Sequence, residues 1–140
     1  MKHRLAALDV GDKRIGVAVS DGLRLTAQPL GTVQRRSLAA DCAAIQHMLV
    51  PYDIEKVIAG LPLNPNGREG EQADHVRHFC ARFVAETGRE VVFQDERFTT
   101  AESDRMLIES GMRRNRRKEV RDRVAAALIL QAWLDFRSDA

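Results

Sequence analysis

Three acidic residues stand where the surrounding pattern requires something apolar or where an element has just ended: Asp9, Glu96 and Asp122. Asp9 interrupts Leu5 to Val10, a run that otherwise reads as core. A carboxylate there must be paired, hydrogen-bonded or metal-bound, because an isolated buried charge costs too much to leave unsatisfied. Glu96 follows the strand pattern 91–94, at the carboxyl end, where open α/β sheets place their ligand sites. Asp122 has Ala125, Ala126, Ile129 and Trp133 at i+3, i+4, i+7 and i+11, so it rides an apolar helical stripe whose two alanines allow a close approach to a sheet. Hard oxygen ligands drawn from separate elements suit Mg²⁺ or Mn²⁺. Two such ions about 4 Å apart activate water and steady the leaving oxygen in phosphodiester hydrolysis. The three acids are therefore expected to be catalytic metal ligands, with Asp9 bridging and a metal-bound water as nucleophile. Each has a plainer explanation alone: a turn residue beside glycine, a surface ion pair with the next arginine, an aspartate paired among arginines. Asp9 and Asp122 resist it best, since both lie on faces that read as buried.

Charge is concentrated beside these acids. From Arg113 to Arg123, seven of eleven residues are Lys or Arg, although the net charge of the chain is only +2. Positive charge at a helix start is opposed by the helix dipole, so Arg113, Arg114, Arg116, Arg117 and Lys118 suggest a polyanionic substrate rather than a merely solvated face. Lys13, Arg14 and Arg97 would extend that nucleic-acid-binding patch. Asn64, Asn66 and Gly67 lie in a long loop after a strand and are candidates to touch substrate, although ordinary turn chemistry explains them nearly as well. His75 and His78 are three apart with no third metal ligand in view, and a solvated face is the better account.

The elements that would position these residues follow from periodicity. Leu5 to Val10 and Ile15 to Val19 flank a Gly11-Asp12-Lys13 turn and read as a β-hairpin. Arg24 to Thr32 is expected to form a third strand, at an edge because of Pro29. Ser37 caps a helix over Leu38 to Val50. Lys56 to Gly60 is a continuous apolar run, the pattern of a strand buried on both faces, and the loop Leu61 to Gly67 follows. Apolar residues at spacings of three and four predict a helix over Glu69 to Thr87, stopped by Gly88. Glu90 to Gln94 is the next strand. Thr99 or Thr100 caps a helix to Gly111, with Glu102 placed for a capping box, and a last helix runs to about Phe136. The sum is a mixed sheet with helices on both faces.

At 140 residues, with 44% apolar, the chain is expected to be a single domain, 1–140, with a substantial core. Cys42 and Cys80 are far apart and neither has a zinc-spaced neighbour, which fits a reducing cytoplasm better than a disulfide framework or a zinc site. No signal core and no run near the roughly 18 apolar residues of a membrane span occurs, so a soluble, cytoplasmic protein without membrane association is expected.

Four motifs in order resemble the YqgF family of RuvC-like nucleases. They are Leu8-Asp9-Val10-Gly11 with Arg14-Ile15-Gly16-Val17-Ala18; Gly60-Leu61-Pro62-Leu63-Asn64 with Gly67; Asp95 through Glu102; and Lys118 with Asp122 through Ala126 and Ile129-Leu130-Gln131. The resemblance spans almost the whole chain. It implies a ribonuclease H-like fold, a five-stranded mixed sheet ordered 3-2-1-4-5 with helices on both faces, and a divalent-metal site at Asp9, Glu96 and Asp122. It also implies a nuclease, either of the 5′ end of precursor 16S ribosomal RNA or of Holliday junctions in branched DNA, leaving 5′-phosphate and 3′-hydroxyl ends. The sequence departs from the family pattern at Arg121, where an apolar residue is expected before the helical aspartate. Two other classes compete. The Asp9-x-Gly11 hairpin also looks like the first phosphate loop of actin-like and sugar kinases, but 140 residues supply only one of the two lobes those enzymes need. A non-catalytic nucleic-acid-binding or ribosome-binding module is weakened by the presence of all three acids. Structured or single-stranded RNA, branched DNA and ribosomal precursors are the expected partners, and two-fold cleavage of a junction would require a homodimer.

Overall fold

The computed structural model describes residues 3–96, 111 and 113–137, and the backbone alone for 114, 115, 117–123 and 137. Its elements in chain order are β1 (Arg4–Val10), β2 (Arg14–Ser20), β3 (Ala27–Gln34), α1 (Leu38–Leu49), β4 (Ile54–Leu61), α2 (Glu71–Thr87), β5 (Val91–Asp95) and α3 (Arg114–Arg137). The strands form one sheet ordered β3-β2-β1-β4-β5. β1 pairs antiparallel with β2 and parallel with β4, and β4 pairs parallel with β5. This is the mixed five-stranded sheet expected from the sequence.

Residue parity assigns the two faces of the sheet. Ala6, Leu8, Ile15, Val17, Val57 and Ala59 pack with Ile45 and Leu49 of α1 and with Val76, Phe79 and Phe83 of α2. The alternate residues Leu5, Ala7, Ala18 and Ile58 pack with Ala126, Ile129, Leu130 and Leu134 of α3. A central strand with helices on both sides has no solvent face, which is why β1 and β4 read as continuous apolar runs. Asp9 shares the α3 face with Leu5 and Ala7, because side chains two apart point the same way.

The ends of the elements follow local chemistry. Ser37 accepts a hydrogen bond from the Ala40 amide at 3.1 Å and starts α1. α2 stops at Gly88, whose φ of +73° is the left-handed terminator and whose N–H donates to Val84 O at 2.8 Å. The third strand begins later than predicted, at Ala27 rather than Arg24. The Asp21 carboxylate accepts from the Leu25 and Thr26 amides at 2.7 and 3.0 Å, and Arg24 takes φ +58°, so residues 21–26 form a turn. Pro29 lies on this edge strand beside a register shift, tolerated where no further strand must be paired. The helix predicted from Thr99 or Thr100 lies outside the described residues, as does Arg97.

Candidate active site

The hairpin turn fixes where Asp9 can be. Gly11 N–H donates to Arg14 O at 3.0 Å, and a Cβ on Gly11 would come within 2.8 Å of that oxygen, so no larger residue fits the turn. Across the ladder Asp9 is opposite Gly16. A Cβ there would sit 3.7 Å from Asp9 Cβ and 3.6 Å from Ala126 Cβ, so α3 crosses the sheet directly over the Asp9–Gly16 pair. Asp122 belongs to the same helix, four residues and about 6 Å along its axis before Ala126.

Glu96 arrives from the other side. It follows β5, its N–H donating to Leu61 O at 3.2 Å, which continues the ladder one residue beyond the strand. Its side chain fills the space over Gly60. A Cβ on Gly60 would lie 2.9 Å from Glu96 Cδ and 2.6 Å from Ile129 Cδ1. Burial, then the Asp9 negative charge and a hydrogen bond shared with Asp9, then Asp95, push the Glu96 carboxyl up to about 8. Asp9 and Glu96, 87 positions apart in the chain, thus meet on the α3 face at the carboxyl ends of β1 and β5.

One glycine and one alanine shape this meeting. Gly60 leaves the space that Glu96 and Ile129 fill, and the small Ala126 side chain lies over the Asp9–Gly16 pair. Gln131 fixes α3 at its other end: its Oε1 accepts from Ala27 N at 2.9 Å and its Nε2 donates to Leu25 O at 3.1 Å. Since Ala27 pairs with Ser20, at the far end of β2 from Arg14, α3 runs from the Asp9 end of the sheet to the opposite end. Its basic start, including exposed Arg113 and Arg116, is therefore at the Asp9 end. Arg114, Arg117 and Lys118 lie in the same first turns of the helix.

The other predicted substrate residues cluster around this end. Lys13 and Arg14 are exposed in the hairpin turn and at the start of β2. Asn64, Asn66 and Gly67 are exposed in the loop after β4. That loop closes on itself through Asn64 N–H to Arg68 O (2.9 Å), Gly67 N–H to Asn64 O (2.8 Å) and Arg68 N–H to Asn66 Oδ1 (2.9 Å). His75 and His78 are exposed on α2, the solvated placement favoured from their spacing.

Arg35 is a supporting residue that pattern reasoning missed. Its guanidinium donates to Gly11 O at 3.1 Å, lies 3.4 Å from Asp41 Oδ2, and covers the Phe79 ring at 5.2 Å. Its backbone N–H donates to Lys13 O at 2.9 Å, so the turn below Asp9 is held by both main and side chain. One sequence signal was available: Asp41 sits in register with Ile45 on the apolar side of α1, and it is buried in the structure.

A sheet of order 3-2-1-4-5 with carboxylates gathered at the carboxyl ends of its strands and a basic helix start alongside defines a nuclease of the ribonuclease H-like class. The RuvX family, described as Holliday junction resolvase, matches residues 3–136, and the chain belongs to it. A Moorella thermoacetica protein is 50% identical over 132 residues, covering 94% of each chain. One from Myxococcus xanthus is 48% identical over 132 residues, covering 94% of this chain and 87% of the relative. Both carry the name "Putative pre-16S rRNA nuclease". Among solved structures, Thermus thermophilus RuvC in complex with a Holliday junction substrate superposes with TM-score 0.58 at 17% identity, over 96% of this chain and 95% of that one. The fowlpox virus Holliday junction resolvase gives 0.51 at 13% identity, over 95% and 98%. These two likenesses establish the shared fold.

Proposed function

We propose that this protein is a divalent-metal-dependent nuclease that trims the 5′ end of precursor 16S ribosomal RNA, with Asp9, Glu96 and Asp122 as its catalytic carboxylates. The observation that carries the proposal is the Asp9–Glu96 contact. Two half-buried carboxylates that share a hydrogen bond and raise Glu96 to about 8 form a hard-oxygen site of excess negative potential, which suits Mg²⁺ or Mn²⁺. Asp9 and Glu96 would hold the ions from the sheet and Asp122 from α3. A bound pair of ions would supply an activated water and charge stabilisation at the leaving oxygen. The chain's own contribution is placement. Gly60 gives the Glu96 carboxylate room beneath α3, while Arg35 donates to the Gly11 carbonyl in the Asp9 turn. Lys13, Arg14, Arg97 and the start of α3 would orient the phosphodiester backbone. The names of the curated relatives support the RNA substrate.

A second reading, resolution of Holliday junctions in branched DNA, is favoured by the description of the family and requires a two-fold dimer to make paired cuts. The test uses the purified chain with Mg²⁺ or Mn²⁺ on end-labelled precursor-like RNA, single-stranded RNA, duplex DNA and four-way junctions, beside an Asp9→Asn, Asp122→Asn double variant. RNA cleavage leaving a 5′-phosphate, lost in the variant, is the expected outcome. Symmetric nicks confined to the junction would move the assignment to the second reading. Intact substrates with either metal would remove the nuclease assignment from the isolated chain.

A further inference from the structure

Ion pairs hold some basic side chains at both ends of the sheet. Away from the carboxylate end Arg24 pairs with Glu55, Lys56 with Glu90 at 3.5 Å and Arg82 with Glu86 at 2.7 Å, while Arg4 and Arg89 donate to main-chain and amide oxygens. Nearer that end Arg77 pairs with Glu69 at 2.6 Å and Arg35 lies 3.4 Å from Asp41. At the carboxylate end Lys13, Arg36, Arg68 and Arg113 are exposed and have no ion-pair partner among the described residues. Unmatched cations gathered at one end repel one another and raise the local positive potential, an arrangement that polyanion binding offsets. Lys13 and Arg113 stand out in the sequence. Arg36 and Arg68 do not, because neither lies in a basic run that reaches the acids.

Their backbones are fixed while their side chains are exposed. The Arg36 amide donates to Asp41 Oδ1 at 2.9 Å at the mouth of α1, two residues beyond the end of β3. Arg68 is held at the tip of the β4–α2 loop by Asn66 Oδ1 and by the Asn64 amide, which donates to Arg68 O. In the sheet order Arg36 stands two strands to one side of β1, about 10 Å at the usual strand spacing, and Arg68 rises from the neighbouring strand on the other side.

We propose that Arg36 and Arg68 contact phosphates on either side of Asp9, so that the nucleic-acid strand crosses the ends of β3, β2, β1 and β4. The inference rests on the site being one for nucleic acid. It is tested with equilibrium binding of labelled single-stranded RNA and four-way-junction DNA in EDTA over a range of salt, for the full chain, Arg36→Ala, Arg68→Ala and, from the opposite end, Lys56→Ala. Each of the first two variants is expected to lower the slope of log K against log salt by about one and to weaken binding at least about threefold at 0.1 M salt, with Lys56→Ala unchanged. In cleavage assays KM should rise more than kcat falls. Equal slopes for all four proteins overturn the inference, even if the wild type cuts normally. Reduced slopes in a protein that cuts nothing uphold it while removing the nuclease assignment. A wild type that binds no nucleic acid overturns both.

Discussion

At the scale of single residues, the Asp9–Glu96 contact costs stability above the ordinary carboxylate range. The Glu96 carboxyl ionises near its ordinary value in the unfolded chain but at about 8 in the folded one. Below that ordinary value both states carry the proton and folding is not penalised. As pH rises toward 8 the unfolded state loses the proton first, so this group withdraws stability across that window. Glu96→Gln should therefore melt higher than wild type in EDTA, by a margin that opens above pH 4.5 and reaches about 5 °C by pH 8. Melting curves recorded from pH 4 to 9 check this, and identical curves would show that the two acids do not oppose each other. Divalent ions should close the gap by stabilising wild type alone. The pair was legible only in part. Asp9 stands out by breaking an apolar run, whereas Glu96 stands out by its place after a strand, and it is the family resemblance rather than any local pattern that brings it to Asp9.

At the scale of elements, the site depends on how closely α3 lies on the sheet. Gly60→Ala probes that spacing. The added Cβ would meet the ends of flexible side chains, Ile129 Cδ1 and the Glu96 carboxyl group, so the protein should fold at a cost of about 1–2 kcal/mol while the carboxylate is displaced. The expected result is a loss of turnover of about 100-fold with metal-free nucleic-acid affinity unchanged. Unaltered turnover would take Glu96 out of the machinery. Most elements could be read from periodicity, since β1, β4, α1 and α2 each bury a face with a clear repeat. β3 was misplaced at its start because the Asp21 side chain, not an apolar pattern, decides where the turn ends. The bracing roles of Arg35 and Gln131 were only faintly legible, through buried Asp41 for the first and the Ile129-Leu130-Gln131 motif for the second. Their long-range partners include main-chain groups 24 and 104 to 106 positions away, which impose no residue type that a pattern could reveal.

At the scale of the whole molecule, two helix layers enclose the sheet and both thiols are inside. Cys42 and Cys80 are 1% and 2% exposed, and burial pushes the Cys80 thiol up to about 12. At pH 8 neither should react with iodoacetamide in the folded protein, and modification should follow global unfolding as denaturant is added. Labelling of Cys80 well below the unfolding transition, read by mass spectrometry, would mean that α2 opens independently. The net charge of +2 gave little indication of the surface, because matching of charges is a property of folded neighbours. The order of the elements along the chain has a temporal consequence. Asp9 is made first and α3, which covers it, after all five strands. A growing chain thus carries Asp9 on a bare sheet face, and the carboxylate pair gains its helical cover only when α3 has been made.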